Sequence, residues 1–433
     1  MIKNQLILAV SIALGLSNPS FAGLIAPAYL PEIAAPVQDA GKRLHLRGLQ
    51  ALEENDLAAA ERAFRDYMQL DPRAAQPLLG MADLALRRKQ PKVAWDWLDK
   101  ASAVAPRNAL VYQAIGRYHF ANSENIKAIE ALKKAQRLEP GNASILIDQA
   151  EIYMQALRQP EQAVLTYQNA LRMVPRHAGA HYGLGTALLA SGKIVDAQAE
   201  LNQAAVLAPE NPLPSLSLGT LYLSQGKADY ALTAFDAALK IQPDLLPAIL
   251  AKGDIYLNRL DFTQALNMFQ NALKLTPENY LILLKLGQTY QGLNRFGEAE
   301  MSYRAALRIR PKLALAYNNL AWISIENKKN LAQAEQWARK ANDLAPEISG
   351  FIDTLGWVYR AQGKTEAAES TIIKASKIDH PSAEIFYHLG VVSLDLKKNK
   401  EAEAAFRKSL SLQKNHFPAQ QALIKLITSK QIK

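Results

Sequence analysis

The sequence contains no cysteine, which excludes a disulfide framework, a thiolate metal site and a cysteine nucleophile. It also excludes a lipid-bearing cysteine behind an export signal. Long apolar runs are scarce. The run from Leu6 to Leu16 is eleven residues, well short of the roughly 20 that span a bilayer, and no later stretch is longer and comparably apolar. Histidine is sparse, with seven in 433 residues. His177 and His181 lie four apart, but no glutamate-bearing zinc motif accompanies them, so packing roles are expected and no metal. Histidines 45, 119, 380, 388 and 416 are spread along the chain, so a Ser-His-Asp site would have to be assembled from distant segments, and nothing in the sequence indicates one. Gly363-Lys364-Thr365 imitates the end of a phosphate loop, yet Val358 stands where its first glycine belongs. Gly183-x-Gly185 lacks a third glycine, having Leu188 in that place. Neither supports nucleotide binding, and no cofactor is expected.

What is present begins with an export pattern. Lys3 precedes the apolar run, Asn18-Pro19 breaks it, and Ser20-Phe21-Ala22 forms a small-x-small cleavage site, so residues 1–22 read as a signal peptide and Gly23 as the first mature residue. This predicts a periplasmic location, with secretion as the alternative. Residues 23–40 carry Pro27, Pro31 and Pro36 and read as an extended leader. The formal net charge is +10, and loss of Lys3 leaves +9. Residues 383–433 hold nine basic against four acidic side chains. A basic end of this kind suits a solvated cap or an acidic glycan, and export argues against nucleic acid.

Prolines recur at 72, 106, 140, 175, 209, 243, 277, 311 and 346, a period of 34 or 35 residues that marks a repeat architecture. The period tiles residues 41–416 into eleven units. Within each unit two slots are small: the eighth is Gly or Ala, from Gly48 to Gly390, and the twentieth is alanine throughout, from Ala60 through Ala231 to Ala402. A glycine in a helix costs about 0.5–1 kcal/mol against alanine, so its recurrence implies close helix contact. Bulky residues at the twenty-fourth slot, among them Phe64, Leu132, Phe235, Tyr303 and Phe406, fill the space opposite. Turns between the two helices of a unit are expected at Asn55, Gly192, Gly226, Asn294 and Gly363. Residues 417–433 read as a C-terminal capping helix and tail, with Leu423 and Leu426 on one face and Gln420, Gln421 and Lys425 among the others.

The pattern resembles the tetratricopeptide repeat (TPR) family, whose bulky, Leu-Gly, Tyr, Ala, bulky, Ala and Pro positions are matched by Leu283, Leu286-Gly287, Tyr290, Ala299, Tyr303, Ala306 and Pro311. The resemblance implies an all-α, right-handed superhelical solenoid of eleven helix-turn-helix hairpins plus the capping helix, and a binding protein in place of an enzyme. It further implies that ligands meet A-helix residues on the inside of the superhelix. In the last third those positions supply Asn318, Asn319, Trp322, Asp353, Trp357, Arg360, Tyr387 and His388, aromatics beside hydrogen-bonding groups as in binding hot spots. Ala316 to Trp322 and Asp353 to Tyr359 are similar to segments of TPR proteins from exopolysaccharide and exosortase-type export loci. The expected function is therefore a scaffold or adaptor with protein or peptide partners in the cell envelope, in polysaccharide or surface-protein secretion. The alternative is a periplasmic chaperone or pilus-biogenesis factor that binds peptides in the groove.

Overall fold

The computed structural model describes residues 36–431. The expected signal peptide and residues 23–35 of the expected leader lie outside them. Pro36 to Ala40, assigned to that leader, instead belong to the first described helix; proline is tolerated at the start of a helix because its missing N–H would have no partner there. Every regular element among the described residues is an α-helix.

Two compact units divide the chain after Pro243. The first holds six hairpins, each an A helix followed by a B helix: Pro36–Glu53 and Leu57–Leu70, Ala75–Arg87 and Pro91–Val104, Ala109–Ala121 and Asn125–Leu138, Ala143–Gln155 and Pro160–Met173, Ala178–Ala190 and Ile194–Leu207, Pro212–Ser224 and Ala228–Ile241. The second holds hairpins seven to eleven: Leu246–Asn258 and Phe262–Leu275, Tyr280–Gly292 and Phe296–Ile309, Ala314–Glu326 and Leu331–Leu344, Ser349–Ala361 and Thr365–Ser376, Ala383–Asp395 and Asn399–Leu412, followed by a last helix, Phe417–Gln431. Within each unit every B helix packs on the A helix that follows it.

Local chemistry sets these boundaries. Each of the eleven A helices is followed by a residue at positive φ, running from Asn55 and Lys89 through Gly192, Gly226 and Gly363 to Lys397, and in hairpin nine Asn330 adds a second after Lys328. There the chain closes with paired bonds of the kind Gly226 N–H to Leu223 O (2.9 Å) and Lys227 N–H to Tyr222 O (2.9 Å), which satisfy the last carbonyls of the helix. The five turn residues expected from the sequence all occupy this position. The recurrent prolines fall two residues beyond the B helices, as Pro140 does after Leu138, where they cannot continue the helix. Asn108, Asn142, Asn211 and Asn279 then cap the next A helix by accepting from its free N–H groups.

The small and large slots interlock. A Cβ placed on Gly287 would stand 2.4 Å from Cε1 of Tyr303, and one on Gly116 would stand 2.6 Å from Cγ of Leu132. Tyr303, Leu132, Ala231 and Ala402 are fully buried. At the C-terminal end Ala419, Leu423 and Leu426 close over Phe406 and Ala402, while Gln421 and Lys425 are exposed.

Candidate functional site

Three A helices of the second unit, Ala314–Glu326, Ser349–Ala361 and Ala383–Asp395, carry the eight residues singled out by repeat position. The structure sorts them by depth. Asn318, Asn319, Trp322, Trp357, Arg360 and Tyr387 are half-buried, whereas Asp353 is 5% exposed and His388 only 2%. The expectation that all eight form one contact surface is therefore corrected: Asp353 and His388 lie beneath it. The reason is lateral packing. Trp357 from hairpin ten stacks on the His388 ring at 3.9 Å between centroids and 19° between planes, and Trp322 from hairpin nine lies 6.0 Å away at 30°.

A buried imidazole needs partners for both nitrogens. His388 Nδ1 is 2.7 Å from Asp353 Oδ2 and its Nε2 is 3.2 Å from Glu384 Oε1. Both facing groups are carboxylates, so both ring nitrogens donate and the ring is an imidazolium. Burial by itself pulls its pKa down, but the hydrogen bonds and charges of Asp353 and Glu384 outweigh that and raise it to about 9. The Glu384 carboxyl is held at about 2, first by its bond to His388, with burial opposing and His416 adding to the effect. His416 Nε2 lies 2.8 Å from the other Glu384 oxygen, and its Nδ1 accepts from the Ala419 N–H at 3.2 Å. Hence Nε2 carries the His416 proton, and one carboxylate ties hairpin eleven to the first turn of the last helix.

The pairing of Asp353 with His388 is two-thirds of a hydrolase triad in outline. Its chemistry is different, because the second ring nitrogen faces a carboxylate where a nucleophile would have to sit. The arrangement holds a charge in place and supports the aromatic surface above it. Arg360 donates from Nε to Asp395 Oδ2 at 2.6 Å and lies 4.7 Å from the centroid of the Trp357 ring. Tyr387 is wedged between His388, Phe406 and His416 at 5.7, 6.1 and 5.3 Å. Asn319 meets the hydroxyl of Tyr303, and one oxygen each of Asn318 and Asp353 is buried without a hydrogen bond.

Sequence reasoning missed Glu384, Asp395 and His416. Glu384 had a signal, since it sits four residues before His388 on one helix face. His416 had none, for it is the last residue of the eleventh unit, in the linker beyond that unit's B helix. The other histidine pair also has structural work: His177 Nδ1 accepts from Ala180 N–H at 3.0 Å as a helix cap, and His181 lies 2.6 Å from Glu200 and 2.9 Å from the Pro175 carbonyl.

Two family profiles match the chain. The tetratricopeptide repeat profile covers residues 155–212 and 184–245. Its repeats are tetratricopeptide repeats. A second profile, that of the cilia and flagella-associated protein 70 C-terminal domain, covers 215–423. Among solved structures, a tetratricopeptide repeat protein from Parabacteroides merdae aligns with a TM-score of 0.51 at 22% identity, over 58% of this chain and 98% of that one. This likeness concerns the fold. Pseudomonas aeruginosa pilF aligns with a TM-score of 0.43 at 20% identity, over 49% and 97%. The human protein O-mannosyl-transferase TMTC3 is 29% identical over 101 residues, 23% of this chain. The TPR chain spans only 11% of that protein's length.

Proposed function

We propose that this TPR protein is an exported, non-catalytic scaffold that holds a protein partner along the A-helix surface of hairpins nine to eleven during envelope assembly, in polysaccharide or surface-protein secretion. The TPR fold supports the binding role, since stacked hairpins present equivalent side chains in rows for a partner. The observation that carries the choice of surface is the pair Trp322 and Trp357, half-buried and backed by the fixed His388 imidazolium. Rigid aromatics beside hydrogen-bonding groups lose little conformational freedom on binding. The export reading rests on Lys3, the Leu6–Leu16 run and the Ser20-Phe21-Ala22 site.

Replacing Arg360 by a photo-crosslinking amino acid in the native cell tests the surface, with the same group at Glu366, on the B helix of hairpin ten, as control. A discrete protein adduct from position 360 that is lost in Trp322→Ala/Trp357→Ala supports the reading. Equal adducts from both positions refute it. Intact mass of the protein from the envelope fraction tests the rest: a chain beginning at Gly23 is expected, and one retaining residues 1–22 defeats the export proposal.

A further inference from the structure

The first unit contains a polar row that stops short. Asp83, Arg117 and Glu151 are the ninth residues of the A helices of hairpins two, three and four. The Arg117 guanidinium grips Asp148 with two bonds, Nε to Oδ2 at 2.7 Å and Nη2 to Oδ1 at 3.1 Å, and Gln113 donates to the same Oδ2 at 2.7 Å. Asp148 is thereby used up. Glu151 stands three residues further along the same helix, half-buried, and hydrogen-bonds to no described residue. Across from it the A helix of hairpin five offers Tyr182, Gly183 and Thr186 at its fifth, sixth and ninth places, with no cation among them.

A second group meets it there. Tyr167, on the B helix of hairpin four, is 3% exposed, and its phenol reaches the A-helix surface because Gly183 leaves room. A Cβ at that glycine would stand 2.5 Å from the hydroxyl oxygen. This hydroxyl also hydrogen-bonds to no described residue. Tyr167 packs in one buried cluster with Ala150, the residue before Glu151, and burial, then the charges of Glu151 and Asp148, push its pKa up. Glu151 itself is raised to about 7, chiefly by burial and then by Asp148, with Arg117 opposing. A half-buried carboxylate and the phenol of a buried tyrosine, neither hydrogen-bonded to a described residue, lie at the open end of a row whose cation is already committed.

We propose that Glu151 and Tyr167 form a receptor for one cationic side chain, arginine or lysine, presented by a partner protein. An ammonium or guanidinium supplies the donors that both oxygens lack and the positive charge that the set Asp148, Arg117 and Glu151 is short of. The site belongs to the first unit and is independent of the tryptophan surface.

Titration of the full chain with acetyl-Gly-Arg-Gly-amide and its lysine counterpart tests it, with the neutral citrulline peptide as control. Binding of the cationic peptides is expected to be about tenfold tighter at pH 8 than at pH 6, because a carboxyl with pKa near 7 ionises across that interval. Glu151→Gln should remove both the binding and its pH dependence at unchanged melting temperature. Tyr167→Phe should weaken binding roughly threefold. Absence of saturable binding by either cationic peptide, equal binding of the citrulline peptide, or undiminished affinity in a folded Glu151→Gln protein overturns the proposal.

Discussion

The His388 imidazolium ties the stability of the last hairpins to pH. Its pKa is about 9 in the folded chain against 6.5 for a free histidine, so the folded state holds the proton more tightly than the unfolded one. The contribution is complete below pH 6.5 and is lost as pH rises through 9. That difference is worth about 3 kcal/mol, and with the ring 2% exposed solvent does little to screen it. Between pH 6 and 10, amide hydrogens of Ser349–Ala361, Ala383–Asp395 and Phe417–Gln431 should lose about a hundredfold of protection once intrinsic exchange is divided out. His388→Gln removes the titrating group and should flatten this dependence relative to the parent. Glu384, with its pKa lowered to about 2, acts at the other end: its contribution is present above pH 4.5 and disappears as pH falls toward 2. Asp353→Ala strands a buried cation, so a loss of about 3–5 kcal/mol is expected at pH 6, with the deficit shrinking at pH 10. The reasoning fails if parent and His388→Gln chains show the same pH dependence in these helices.

Gly287→Ala drives a methyl into the Tyr303 ring and should cost about 1–3 kcal/mol in urea unfolding, whereas Gly297→Ala, whose Cβ meets nothing within 4 Å, should be neutral or stabilising. Asn279→Ala removes the side chain that accepts from Leu281 and Ile282 and should cost about 1 kcal/mol, read in the same unfolding curves. Trp357→Ala uncovers His388 and should reduce partner adduct formation from position 360 while circular dichroism keeps its helical signal.

The fold was legible because packing repeats its demands. Every A helix must approach its own B helix closely, so Gly287 faces Tyr303 and Gly116 faces Leu132, and such pairs recur at fixed spacing whatever the rest of the unit contains. The turns were legible only where the residue type declares itself. Gly192, Gly226 and Gly363 adopt positive φ freely, and Asn55 and Asn294 tolerate it. Lys89, Ser123, Arg158, Leu260, Lys328 and Lys397 take the same conformation, held there by the closing hydrogen bonds at each A-helix end and not by their own preference. Propensity could not find them, whereas the period could.

The site was legible in position and not in depth. Repeat position states which face of a helix a side chain occupies, and Asn318, Trp322, Trp357 and Arg360 fall where the period puts them. How deep it lies depends on what the neighbouring hairpin lays over it. Asp353 and His388 share helix faces with residues that elsewhere reach solvent, but large rings cover His388 from hairpins nine and ten, and in a dehydrated setting a histidine and two carboxylates settle into an ion pair. A single period is blind to this, because burial here is a property of three successive repeats taken together. His416 shows the same limit at the end of the chain. It lies 32 residues from Glu384, just before a helix with no second half, and its role follows from closing the last exposed hairpin with a capped helix. A search for polar residues at facing positions in adjacent repeats, in place of one residue type at a fixed position, would have paired Asp353 with His388 and Arg117 with Asp148 before any coordinates existed.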